Sequence, residues 1–152
     1  MMHPKLRKEV EQIYDEICEA LNGRAMCRFA YTLRTFKEQD ALYAQGRTVK
    51  GKIVTNAKGG LSMHNYGLAL DIVLIMNDGS ASWDIKGDFD GDRKSDWMEI
   101  VTIFKQYGWE WGGDWKFTDY PHFQKSFGRT VRGLLSDYNF GHIDKDGYLT
   151  TI

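Results

Sequence analysis

The 152-residue chain has only two cysteines and two prolines, almost no net charge and no long apolar run. Two cysteines cannot make a disulfide scaffold. Pro4 and Pro121 stand alone, so there is no proline-rich linker. Twenty basic side chains balance twenty-one acidic ones, for a net charge of −1. That balance leaves no electrostatic footprint for nucleic acid or an anionic membrane. The most apolar stretch, Leu68 to Met76, is interrupted by Asp71 and is too short to cross a bilayer. The first residues, His3-Pro4-Lys5-Leu6-Arg7-Lys8-Glu9, are charged and lead into no apolar run. Neither a secretory signal nor membrane insertion is expected. No repeat or low-complexity segment is present. What remains, 42% hydrophobic and 27% charged residues, has the composition of a globular protein. The length suits a single domain over residues 1–152 that buries about two-thirds of its unfolded surface.

Periodicity supplies the elements. Pro4 suits a first helical turn. Val10, Ile13, Tyr14, Ile17 and Leu21 then recur at helical spacing, up to Asn22-Gly23. Phe29, Tyr31 and Leu33 alternate, predicting a strand over 28–33. Thr35 and Glu38 form a capping-box pattern for a helix reaching about Ala44 and stopped by Gly46. Residues 46–61 hold four glycines and read as a loop, with a short strand near Ile53. Leu68 to Leu74 reads as a largely buried strand. Trp97, Ile100, Val101, Phe104 and Tyr107 define another helix, closed by Gly108. Short strands are expected at 109–111 and 122–124. Helices and strands do not alternate regularly, so the fold class is α+β.

The chemistry lies with the histidines. A catalytic zinc takes three protein ligands and leaves one position open. His64, Asp71 and His122 would supply such a set. On a straight helix His64 and Asp71 would stand about 10 Å apart, and on a straight strand over about 20 Å apart. The chain must therefore turn between them, and Asn65 and Gly67 permit a turn. Asp71 interrupts an apolar strand, where a carboxylate is costly unless paired or bound to metal. The competing reading of both histidines is unrelated core or surface residues, and spacing alone does not separate the two.

Longer blocks do separate them. Ser62-x-His64-x-x-Gly67-x-Ala69-x-Asp71 followed by Asp119-x-x-His122 resembles the signature of the zinc peptidases of bacterial cell walls. These are the D-alanyl-D-alanine carboxypeptidases of the VanY type and the L-alanyl-D-glutamate endopeptidases of phage endolysins. The resemblance extends to Leu33-Arg34-Thr35-Phe36-Lys37-Glu38-Gln39, Leu42 to Thr48, Asn56-Ala57-Lys58-Gly59-Gly60, Trp111-Gly112-Gly113-Asp114-Trp115 and Tyr120-Pro121-His122-Phe123. It covers about residues 3–128 in the family's order and leaves 129–152 as a C-terminal extension of the same domain.

The resemblance implies a hedgehog and D-alanyl-D-alanine peptidase type of α+β domain, with a small antiparallel sheet and flanking helices. It implies that His64, Asp71 and His122 hold Zn²⁺. Asp119 matches the family's catalytic carboxylate, which can take a proton from the attacking water and pass it to the leaving amine. Its plainer reading is a turn residue, with Pro121 fixing one backbone angle nearby. Arg34 matches the active-site arginine, able to stabilise an oxyanion or hold a substrate carboxylate. Gln39, Ser62 and Trp115 match or adjoin substrate-contacting positions, though each reads equally as an ordinary helix, loop or core residue. Asp114 is a candidate for orienting a ligand histidine. The implied activity is hydrolysis of a peptidoglycan stem peptide beside a D-amino acid, foremost the L-Ala–D-Glu bond. The alternatives are a D-alanyl-D-alanine carboxypeptidase or dipeptidase, and more remotely a metal-bound binding module without activity. The presence of Asp119 argues against the last. With no signal peptide, a monomer made in the cytoplasm and released to the cell wall, as a phage or prophage lysin is, fits the family.

A second cluster reads independently of the family. In Asp88-Phe89-Asp90-Gly91-Asp92-Arg93-Lys94-Ser95-Asp96-Trp97-Met98-Glu99, carboxylates fall at loop positions 1, 3, 5, 9 and 12 of an EF-hand calcium loop. Arg93 stands at position 6, where the sharp turn favours glycine. Either Asp88, Asp90, Asp92, Asp96 and Glu99 bind Ca²⁺, or the segment is a solvated loop capping the next helix. Asp144-Lys145-Asp146-Gly147 reads as a β-turn. Cys18 and Cys27 read as buried or semi-buried thiols.

Overall fold

The computed structural model describes residues 1–152. A 3₁₀ turn over Pro4–Leu6 runs into helix α1, Arg7–Ala20. Val10, Ile13 and Ile17 form its buried stripe, joined by Leu6 and Leu21 on the flanks. Asn22 and Gly23, both with positive φ, end the helix and lead into strand β1, Ala25–Tyr31. The strand starts three residues earlier than its alternation predicts, because Ala25 and Cys27 are also buried. Helix α2, Phe36–Ala44, carries the expected capping box: Thr35 Oγ1 accepts from the Glu38 N–H, and Glu38 returns a carboxylate to the Thr35 N–H.

Strand β2 spans Ala69–Met76, β3 Ala81–Ser82, β4 Glu110–Trp111 and β5 His122–Gln124. Helix α3 is Asp96–Gln106 and α4 is Val131–Asn139. The sheet runs β1-β2-β5-β4, with β3 also paired to β2. The β1–β2, β2–β3 and β4–β5 pairs are antiparallel. The α+β class holds. The short strand expected near Ile53 is absent, and Ile53 lies exposed in an irregular loop. Helix α4 was not expected, although Val131, Leu134, Leu135 and Tyr138 recur at helical spacing behind Thr130, and β3 is only two residues long.

The chain groups into two compact units. One, Lys5–Tyr31 with Leu70–Lys125, contains nearly the whole sheet with α1 and α3. Leu70, Ile72 and Leu74 of β2 are fully buried, and Phe104 of α3 stacks on Phe123 of β5 with ring centroids 4.3 Å apart. Burial of Trp97, Ile100, Phe104 and Phe123 contributes roughly 1.5–3 kcal/mol per side chain before entropy is charged. Lys125 ties β5 back to α1 through Glu9, at 2.7 Å.

The other unit comprises Met1–Pro4, Thr32–Ala69 and Ser126–Ile152. Phe36 of α2 meets Tyr66 and Tyr138. Asn65 knots its loops: Oδ1 accepts from the Gly60 and Ser62 N–H groups, and Nδ2 donates to the Arg34 carbonyl. The Asp144–Gly147 β-turn forms as expected, closed by the Gly147 N–H on the Asp144 carbonyl. Cys27 is buried, whereas Cys18 is exposed because its position on α1 faces away from the Val10–Ile13–Ile17 stripe. No helix is long and apolar enough to cross a membrane.

Candidate metal centre and catalytic residues

His64 sits in a 3₁₀ turn, Met63–Tyr66, and is buried. Ser62 caps that turn, its hydroxyl accepting from the His64 N–H. Gly67 ends it with φ +67°, and a Cβ there would lie 2.7 Å from the His3 nitrogen. Glycine is therefore required both by conformation and by space. This is the turn that the His64–Asp71 spacing demanded. The His64 Nδ1 lies 2.8 Å from the Thr32 carbonyl oxygen, which can only accept. Nδ1 thus carries the proton, and Nε2 keeps its lone pair.

Asp71 and His122 meet through neighbouring strands. The Ile72 N–H donates to the Pro121 carbonyl, fixing β5 beside β2. His122 Nδ1 then stands 3.3 Å from Asp71 Oδ1. On its other side His122 Nε2 is 3.1 Å from Gln124 Oε1. The Gln124 amide is oriented by Glu110, whose carboxylate accepts from Gln124 Nε2 at 2.9 Å. The amide oxygen therefore faces the imidazole, and Nε2 of His122 must be the N–H donor. That leaves the Nδ1 lone pair aimed at a carboxylate oxygen. A cation between the two atoms, whether a metal ion or a proton on Nδ1, satisfies both.

The fit to zinc can be judged from these donors. Ligands about 2.0–2.1 Å from a tetrahedral ion stand about 3.3 Å apart, which is the Asp71–His122 separation. His64, Asp71 and His122 could together hold a metal ion. Two imidazole lone pairs and one carboxylate match a three-ligand catalytic zinc set.

Arg34 is half-buried. Its backbone N–H donates to the His64 carbonyl, and its guanidinium donates to Gln39 Oε1 at 3.0 Å. Gln39 is fully buried, with Nε2 bonded to Thr55 Oγ1 and the Ala57 carbonyl. Its expected substrate contact is therefore corrected: the whole amide is committed to protein, and Gln39 holds Arg34. Asp119 is exposed on the loop before β5, its N–H on the Gly112 carbonyl and its carbonyl accepting from the His122 N–H. A Cβ on Gly112 would lie 2.3 Å from the Asp119 carbonyl oxygen, so this approach needs glycine. Trp115 is partly exposed, with its ring 5.0 Å from that of His122. Asp114 does not orient a histidine. It is drawn to the Lys105 ammonium, 2.7 Å away on the surface. The orienting groups are Thr32, through its carbonyl, and Gln124 with Glu110. Sequence reasoning missed them: a carbonyl has no residue signature, and Gln124 looks like any strand glutamine.

The D-alanyl-D-alanine carboxypeptidase family model matches residues 55–125, which include His64, Asp71, Asp119 and His122. That stretch carries the family's pattern, as the motif blocks implied. Peptidoglycan L-alanyl-D-glutamate endopeptidase CwlK of Bacillus subtilis (strain 168) is 61% identical over 92 residues, covering 60% of this chain and 55% of that protein. The match thus spans about half the length of that curated relative. The crystal structure of Serratia marcescens L-Ala D-Glu endopeptidase ChiX aligns with TM-score 0.53 and 23% identity, over 83% of this chain and 81% of that one. That likeness establishes a shared fold.

Proposed function

We propose that the chain is a zinc-dependent peptidoglycan peptidase that hydrolyses the L-alanyl-D-glutamate bond of the stem peptide. The observation that carries the reading is the donor arrangement: His122 Nδ1 faces Asp71 Oδ1 at 3.3 Å, while Thr32 leaves His64 Nε2 with its lone pair. His64, Asp71 and His122 would hold the ion. Zinc bound there would supply Lewis-acid polarisation and make a water acidic near neutral pH. The chain's own side chains do the rest. Asp119 takes a proton from the attacking water as its oxygen bonds to the scissile carbonyl carbon. Arg34, held by Gln39, stabilises the negative charge that develops on the carbonyl oxygen. Asp119 then returns the proton to the departing amine as the C–N bond breaks. Ser62 and Trp115 flank ligand residues and would contact the stem peptide. The identity to CwlK supports the L-alanyl-D-glutamate bond as the target.

A second reading follows from the description of the matched family: removal of a terminal D-alanine by the same residues. Mass spectrometry of purified muropeptides after incubation with the zinc-loaded protein separates the two. Fragments with a newly exposed D-Glu amine support the endopeptidase. Loss of one terminal D-Ala replaces it with the carboxypeptidase. Intact muropeptides, with zinc bound, would refute both and favour a binding module.

A further inference from the structure

We propose that the loop leading into α3 is a calcium site, built on Asp88, Asp90 and Asp96, with Lys94 as a competing cation supplied by the chain itself. Asp88, Asp90 and Asp96 each offer a carboxylate oxygen, and these oxygens lie within 4.8 Å of one another. Asp96 is the decisive member. Its side chain is 0% exposed, its Oδ1 accepts from the Phe89 N–H, and its Oδ2 is buried with no hydrogen-bond partner. A buried carboxylate oxygen left bare costs free energy that a bound cation recovers. Glu99, one turn into α3, carries a second such atom: Oε2 is also buried without a partner. Burial holds both carboxyl groups above the ordinary carboxylate range.

The backbone is already shaped for the ion. Arg93, at the position where glycine is usual, has φ +75°, the left-handed turn that the loop requires. The departure from glycine is thus absorbed as local strain rather than as a different loop path. An all-oxygen carboxylate set selects a hard cation, and a loop of this length suits the six to eight ligands of calcium better than the small octahedral shell of magnesium.

Asp92 and Glu99 fall outside the three-residue group because Lys94 engages both. Its ammonium lies 2.8 Å from Asp92 Oδ2 and 3.4 Å from Glu99 Oε1. Lys94 is largely exposed, so it can swing away when a divalent ion enters. Calcium and the Lys94 ammonium therefore compete for Glu99. This site stands apart from the zinc reading and does not depend on it.

The test is isothermal titration of calcium alone into the zinc-loaded protein, with magnesium as the comparison. Saturable one-to-one calcium binding is expected, weakened about tenfold or more in Asp96→Asn and in Asp90→Asn. Asp90 is half-exposed, so its variant keeps the test valid if Asp96→Asn folds poorly. Lys94→Met should tighten calcium binding about two- to fivefold, the range of an exposed ion pair. No saturable binding with a Kd below about 1 mM calcium, the weak limit of such loops, would overturn the proposal. So would binding that both aspartate variants leave unchanged. Unaltered affinity in Lys94→Met would remove the competing role.

Discussion

Replacing Gln124 with leucine tests how the metal centre is held together. Gln124 Oε1 receives the His122 Nε2 proton at 3.1 Å, and Glu110 fixes the amide from the far side at 2.9 Å. Leucine fills a similar volume but accepts nothing. His122 is buried, so its Nε2–H would be stranded at a cost of about 1–3 kcal/mol. The ring can avoid that cost only by moving the proton to Nδ1, beside Asp71, which removes the lone pair a metal needs. Either route weakens zinc. Loss of such an orienting partner typically costs about 10–100-fold in metal affinity, equivalent to about 1.4–2.7 kcal/mol. Competition against a chromophoric chelator at neutral pH would measure it directly, with thermal unfolding of the metal-free protein as a control. Gln124→Glu combined with Glu110→Gln, which keeps an acceptor for the Nε2 proton and a donor–acceptor pair behind it, should stay within a few-fold of the parent. Zinc affinity in Gln124→Leu within twofold of the parent would refute the tautomer argument, and with it the assignment of Nδ1 as the ligand atom.

The remaining expectations are quick to check. Asp119→Ala should lower kcat/KM on muropeptides by about 10²–10⁴-fold, the usual share of general acid–base catalysis, at unchanged zinc content; undiminished turnover would remove Asp119 from the mechanism. Gly112→Ala places a methyl group 2.3 Å from the Asp119 carbonyl oxygen, so it should reduce kcat far more than it changes KM; wild-type kcat would show that the loop position does not matter. Gln39→Leu removes an acceptor from the Arg34 guanidinium and strips Thr55 and Ala57 of a donor. It should depress kcat and destabilise the fold by about 1–3 kcal/mol, seen in urea unfolding. Burial pushes the Cys27 thiol up to about 12, while Cys18 is exposed. Ellman's reagent should therefore titrate one thiol in the folded protein and two in denaturant, and two fast thiols in the native state would contradict the burial of Cys27.

Which parts of this molecule were legible in its sequence follows from what each part depends on. Helices α1 and α3 were readable because each buries a single stripe, and the period of that stripe is a property of the chain alone. The Thr35–Glu38 box was readable because both partners lie within one turn. Helix α4 has few buried residues of its own, essentially Leu134, and takes its place from neighbours such as Phe36 against Tyr138. Its period is nevertheless in the sequence: Val131, Leu134, Leu135 and Tyr138 fall at helical spacing behind the Thr130 cap, a signal that the reading of the sequence passed over. The same division runs through the site. The candidate ligands His64, Asp71 and His122 are marked by the longer motif blocks, since residue type and spacing alone leave two readings open. Their ligand atoms do not declare themselves. Nε2 of His64 is selected by the carbonyl of Thr32, thirty-two positions away, and Nδ1 of His122 by an amide that a carboxylate on another strand has turned. Two histidines of identical chemistry thus present opposite nitrogens, for reasons that exist only once the chain is folded. Asp114 shows the converse. It was a candidate for orienting a ligand histidine, but its carboxylate pairs with Lys105 on α3 at 2.7 Å. The motif blocks therefore name the candidate ligands, and tertiary hydrogen bonding decides which atom each would offer an ion.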